Sequence, residues 1–114
     1  MRAPTLLLPF LLAACAAPVA DRGAGRGCDG VLVVRNAAPV EVEQFFAGGP
    51  GQWGQDLLAP GTLAPGAQRI FRIGPGPRAF RVVYATGRAG EVAGVDPCET
   101  PNLTVNANGM AATP

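Results

Sequence analysis

Phe80-Arg81-Val82-Val83-Tyr84 is the stretch on which the fold turns. Phe80, Val82 and Tyr84 recur at every second position with Arg81 and Val83 between them, the period of a strand with one buried face. Residues 86–90 then read as a hairpin turn and residues 91–95 as the returning strand. Toward the N-terminus, the Gly-Pro-Gly-Pro break at 74–77 separates this strand from another over 68–73. There Ile70 is expected inward, with Phe71 a second inward candidate. Residues 31–36 carry little polar interruption and read as a strand buried on both faces. Residues 36–39 are a turn signal. The following 40–46 segment alternates, with Val40 and Val42 on one face and Glu41, Glu43 and Phe45 on the other. Residues 102–106 are a last short strand with Leu103 and Val105 on one face, and the tail 107–114 is expected to be disordered. About six strands at this spacing, with no convincing helix, predict an all-β domain over residues 28–106. The expected architecture is a small antiparallel β-sandwich or open barrel.

Between two of these strands, residues 47–66 form a long stretch rich in Gly and Pro around Trp53, Leu57, Leu58 and Leu63. Loops of this length are functional, disordered or pinned by their own side chains. Pinning is expected, with Trp53 and Leu57 folded onto the sheet edge. Trp53 admits two readings, as part of the core or, with Phe46, as a surface that stacks on a sugar or a partner chain. Gly49, Gly51 and Gly54 match dinucleotide-binding spacing as letters, but Pro50 interrupts them and no βαβ unit surrounds them.

Ahead of the domain, one positive charge at Arg2 precedes the apolar run of residues 6–14, which ends Leu12-Ala13-Ala14-Cys15. The run is too short for a bilayer span, which needs about 20 apolar residues. It has the length and composition of a signal-peptide core. Its end resembles the bacterial lipobox, in which a Leu, two small residues and a Cys are read by lipoprotein-processing enzymes. That resemblance implies that residues 1–14 are a signal peptide cut before Cys15 and that Cys15 is lipidated on its sulfur and its new amine. Three acyl chains make such an anchor effectively permanent. Ala16 and Ala17 follow, not Asp, a sorting pattern that favours the outer membrane, facing the periplasm. Residues 15–27 then read as a lipidated flexible tether; a dozen such residues span about 20 Å.

The remaining 100 residues, 15–114, carry eight arginines, eight acidic side chains and no lysine. The arginines are scattered at 22, 26, 35, 69, 72, 78, 81 and 88. No basic patch of the kind that binds phosphate backbones results, so nucleic acid is not an expected partner. The chain also has no histidine and no serine. That removes Ser-His-Asp and Cys-His catalysis and histidine-ligated metal. Glu41 and Glu43 are too few for a calcium cage; Arg72, Arg81 and Arg88 are placed to pair with these carboxylates across strands. No metal, cofactor or enzymatic activity is expected, unless Tyr84, Glu91 and Asp96 cluster in a pocket. With Cys15 taken by lipid, Cys28 and Cys98 remain as one candidate disulfide pair in an oxidising compartment, the alternative being two free thiols.

The succession Trp53-Gly54-Gln55-Asp56-Leu57-Leu58, Leu63-Ala64-Pro65-Gly66, Phe80-Arg81-Val82-Val83-Tyr84-Ala85-Thr86-Gly87 and Val95-Asp96-Pro97-Cys98 resembles a group of uncharacterised exported proteins of Gram-negative bacteria, chiefly alphaproteobacteria. The likeness covers about residues 31–105. It implies a small β domain and no known activity. Members often carry a Cys just before the Arg-Val-Val-Tyr strand, where this chain has Pro77, Arg78 and Ala79, a departure that leaves Cys28 as the candidate partner of Cys98. The expectation is a membrane-tethered, non-enzymatic interaction module presented to another envelope protein or to the cell wall. A small envelope inhibitor of a hydrolase, which would use a protruding 47–66 loop, is the alternative.

Overall fold

Among the described residues seven strands occur, one more than expected: β1 (Val31–Asn36), β2 (Val42–Gly48), β3 (Gln68–Arg72), β4 (Arg78–Tyr84), β5 (Ala89–Val95), β6 (Asn102–Asn106) and β7 (Gly109–Thr113). The computed structural model describes residues 27–49 and 51–114. The signal segment 1–14, Cys15 and the tether through residue 26 lie outside the described residues. Two sheets form, one in the order β3-β1-β6-β7 and the other β2-β4-β5. They pack as a small β-sandwich, and among the described residues no ladder joins them into a barrel. Every ladder is antiparallel except β1 with β6, which run parallel.

The alternation read from β4 holds: Phe80, Val82 and Tyr84 are all buried. They face Leu32 and Val34 of β1 and Leu103 and Val105 of β6, which belong to the same core. Phe45 joins the two layers, stacking on Phe80 at 5.6 Å within its own sheet and tilting against Phe71 at 5.2 Å from the other.

Three expectations about strand faces need correction. Simple alternation puts Phe45 on the face opposite Val42, yet both are buried. The register steps from Val42↔Tyr84 to Gln44↔Val83, so Glu43 is an extra, bulged residue that returns Phe45 to the core side. In β3 it is Phe71 that packs on the core, whereas Ile70 points outward with 64% of its surface exposed. β1 is not buried on both faces: Leu32, Val34 and Asn36 are buried, Val31 and Val33 half-buried, and Arg35 exposed. It is the usual alternation of a sandwich strand with one face to the core.

The tail is also corrected. Residues 109–113 are strand β7, paired along its whole length with β6 from Asn106↔Gly109 to Asn102↔Thr113. Its Met110 and Ala112 pack on the core. Three alanine or glycine positions in five residues hide this strand from propensity, and the neighbouring β6 supplies its order.

Cys28 and Cys98 are bonded, with Cα atoms 5.7 Å apart and a sequence separation of 70. Closing a loop of that length contributes about 4 kcal/mol in the chain-entropy model. The turn that presents Cys98 is built by Asp96: its Oδ1 accepts from the backbone N–H of Cys98 at 2.9 Å and of Gly76 at 3.1 Å. Nearby, Gly30 meets Gly74 so closely that a Cβ on Gly30 would lie 2.0 Å from the Gly74 carbonyl carbon.

Candidate interaction surface

The groups with chemical potential are held by the fold. Tyr84, the last residue of β4, donates its hydroxyl to the Asn106 carbonyl, with the Gly109 carbonyl 3.4 Å away. Burial pushes its pKa above the ordinary tyrosine value, and the Arg88 charge opposes that shift in part. Glu91 pairs with Arg81 across the β4–β5 ladder. Asp96 serves the turn at the other end of β4, beside Gly76. Six residues of strand separate Arg78 from Tyr84, on the order of 20 Å. Tyr84, Glu91 and Asp96 therefore do not converge on one point. Among the described residues there is no concave pocket and no group of three metal-ligating side chains.

The expected pairing of arginines with Glu41 and Glu43 does not occur. Arg72 meets Asp29 at 3.5 Å, both side chains largely exposed, and Arg81 takes Glu91. Glu41 instead accepts from the Thr62 hydroxyl. The bulge at Glu43 and the start of β2 at Val42 shift both carboxylates out of the register on which cross-strand pairing depends.

Two polar side chains that periodicity does not reveal organise the surface. Asn36 is fully buried at the end of β1. Its Nδ2 donates to the carbonyls of Val40 and Leu63, each at 2.9 Å, and its Oδ1 accepts from the Ala38 N–H at 2.9 Å. The amide thereby ties the β1–β2 turn to the long loop. Asp56 does the same for the loop and β2, its Oδ1 accepting from the N–H groups of Phe45 and Leu58 at 2.9 Å. The signal for Asn36 was its place in a turn; Asp56 gave none beyond its residue type.

These contacts fix residues 56–63 against the outer edge of β2. The Leu57 N–H donates to the Phe45 carbonyl, Leu63 bridges to Val42, and Leu58 and Leu63 are buried. The expected pinning is present, carried by Leu58 and Leu63 more than by Trp53 and Leu57, which are half-buried. Phe46 is half-buried on the outer face of β2, in register with Arg81. Neither aromatic forms a broad exposed patch.

Among the described residues the exposed large apolar side chain is elsewhere. Ile70 lies at the centre of β3, an edge strand whose Gln68, Arg69 and Arg72 are exposed as well. Its register partner is Val33, which is half-buried on the same outer face. The Ala67 carbonyl accepts from Asn36 and the Ile73 N–H donates to Gly30, so odd-numbered positions of this segment face β1. By the alternation of an antiparallel ladder, the main-chain groups of Gln68, Ile70 and Arg72 face away from it. Among the described residues nothing pairs with them.

The other edges have neighbours among the described residues. The loop occupies β2, and β5 and β7 lie side by side, with Gly90 against Gly109. Searches against protein-family models, curated proteins and solved structures found no match to this chain.

Proposed function

We propose that this chain is a lipid-anchored protein of the bacterial envelope whose β-sandwich is a non-enzymatic protein-interaction module. The anchor rests on the Leu12-Ala13-Ala14-Cys15 pattern after an apolar run, in a chain whose other two cysteines are joined, as suits an oxidising compartment. The outer membrane is the favoured site and the uncharacterised exported proteins of alphaproteobacteria the favoured kinship, both on sequence pattern.

The interaction reading is carried by β3: an exposed isoleucine beside a row of unpaired main-chain donors and acceptors. Native sandwiches ordinarily cover or blunt such an edge. Main-chain pairing suits another polypeptide, whereas a cell-wall glycan would need a stacking aromatic, and Trp53 is half-buried. The docked course of residues 56–63 favours this reading over a hydrolase inhibitor, which needs a projecting loop.

The test is expression of the full chain in a Gram-negative host with a clickable palmitate analogue. Wild type is expected to take the label and sediment with membranes, and Cys15→Ala to do neither. Unlabelled, soluble wild type would overturn the anchor. A photo-crosslinking residue at position 70 that captures no polypeptide would overturn the interaction module.

A further inference from the structure

Strand β3 reads Gln68-Arg69-Ile70-Phe71-Arg72, and it is self-complementary about its centre. We infer that the polypeptide this edge takes is a second copy of the same chain, joined β3 to β3 antiparallel about a two-fold axis at Ile70. The inference rests on the reading of β3 as an interaction surface and names its partner.

Three observations support a second copy. The outward main-chain groups belong to Gln68, Ile70 and Arg72, so a two-fold at Ile70 pairs Ile70 with Ile70 and Gln68 with Arg72 of the other copy. All the outward N–H and C=O groups are then used. Side-chain chemistry selects this register. Centring on Arg69 or Arg72 would set like charges directly opposite, which is destabilising; centring on Phe71 would set Ile70 opposite an arginine, and centring on Gln68 would set it opposite Gly66, outside the strand. With Ile70 at the centre, each arginine faces a glutamine or a phenylalanine. Finally, Ile70 sits beside Val33 on the outer face, so the two copies would form a continuous apolar row, Val33–Ile70–Ile70–Val33.

The arginines that ordinarily guard an edge are turned to other contacts. Arg69 lies over the Phe71 ring of its own strand, 5.4 Å from the centroid, and Arg72 reaches Asp29. The joined assembly is a continuous eight-stranded sheet with an isologous interface, the commonest symmetry of soluble oligomers.

The full-length chain carrying p-benzoyl-phenylalanine at position 70 is expected to yield a crosslinked dimer of itself in intact cells. Capture of a different protein would overturn self-pairing while keeping the interaction module, and a crosslink within one chain to residues 1–26 or no crosslink would overturn both. Register is tested by mild oxidation of variants that each add one cysteine to the chain. Residues in a hydrogen-bonded antiparallel pair lie about 5.5 Å apart at Cα, a separation a disulfide spans. Ile70→Cys is therefore expected to dimerise on a non-reducing gel. Gln68→Cys places its two sulfurs on the order of 13 Å apart and is not expected to do so. A mixture of Gln68→Cys and Arg72→Cys chains restores the crosslink. Equal dimer from Ile70→Cys and Gln68→Cys, or none from Ile70→Cys, would overturn the pairing.

Discussion

The hydroxyl of Tyr84, at the end of β4 in one sheet, donates to the carbonyl of Asn106, at the end of β6 in the other. It is a polar clasp between the two layers, at the side where β5 and β7 run together. Tyr84→Phe keeps the ring and removes the clasp, with an expected loss of about 1–2 kcal/mol in denaturant unfolding. Burial raises the folded-state pKa, so the folded protein holds the phenolic proton more tightly than the unfolded chain. That contribution is complete below the ordinary tyrosine value of about 10. It is lost as pH climbs through the raised folded value. Wild type should therefore lose stability on alkaline titration in that window more steeply than Tyr84→Phe.

Asn36 makes three hydrogen bonds with both ends of its amide in a fully buried site. Truncation to alanine strands two carbonyls and one N–H and should cost about 3 kcal/mol. Asn36→Asp preserves the shape but offers no donor to Val40 and Leu63 and buries a charge. At neutral pH it is expected to be less stable than the alanine variant, as read by urea midpoints.

A methyl group at residue 30 has no space. The Gly30 backbone has φ +73°, and its Cβ would overlap main-chain atoms of Gly74. Gly30→Ala should cost about 3 kcal/mol or more, combining left-handed strain with overpacking. Gly66→Ala serves as the comparison, having a similar φ but open space, and a smaller fall in thermal midpoint is expected there.

Asp56 ties the long loop to β2 through Phe45 and Leu58. Asp56→Ala should release residues 56–63, lower stability by about 1–2 kcal/mol and speed protease cleavage within the loop under native conditions. Asp56→Asn retains the accepting oxygen and should recover most of the resistance.

Where the sequence pattern was regular, the fold was legible. Phe80, Val82 and Tyr84 are uninterrupted alternation and took the positions that alternation demands, as did Leu103 and Val105. Failures arise where one residue changes the count or where two apolar residues are adjacent. The bulge at Glu43 leaves no mark in hydropathy, yet it turns Phe45 inward. Ile70 and Phe71 are neighbours between arginines, and only packing against Phe45 decides that Phe71 is the inner one. The surface was less legible still. Trp53 and Phe46 are conspicuous by residue type, but exposure at Ile70 follows from β3 being an edge, a property of strand order that a single strand does not display.

The parallel pairing of β1 with β6 has a consequence for assembly. β1 lies between β3 and β6, so the first strand of the domain waits for residues 102–106 before its sheet can close, and β7 after that. Cys28 waits equally long for Cys98. A chain that emerges N-terminus first therefore cannot complete this sheet piecemeal. Covalent and hydrogen-bonded closure arrive together with residues 98–106, and a polypeptide stopped short of them keeps β1 unpaired on one side.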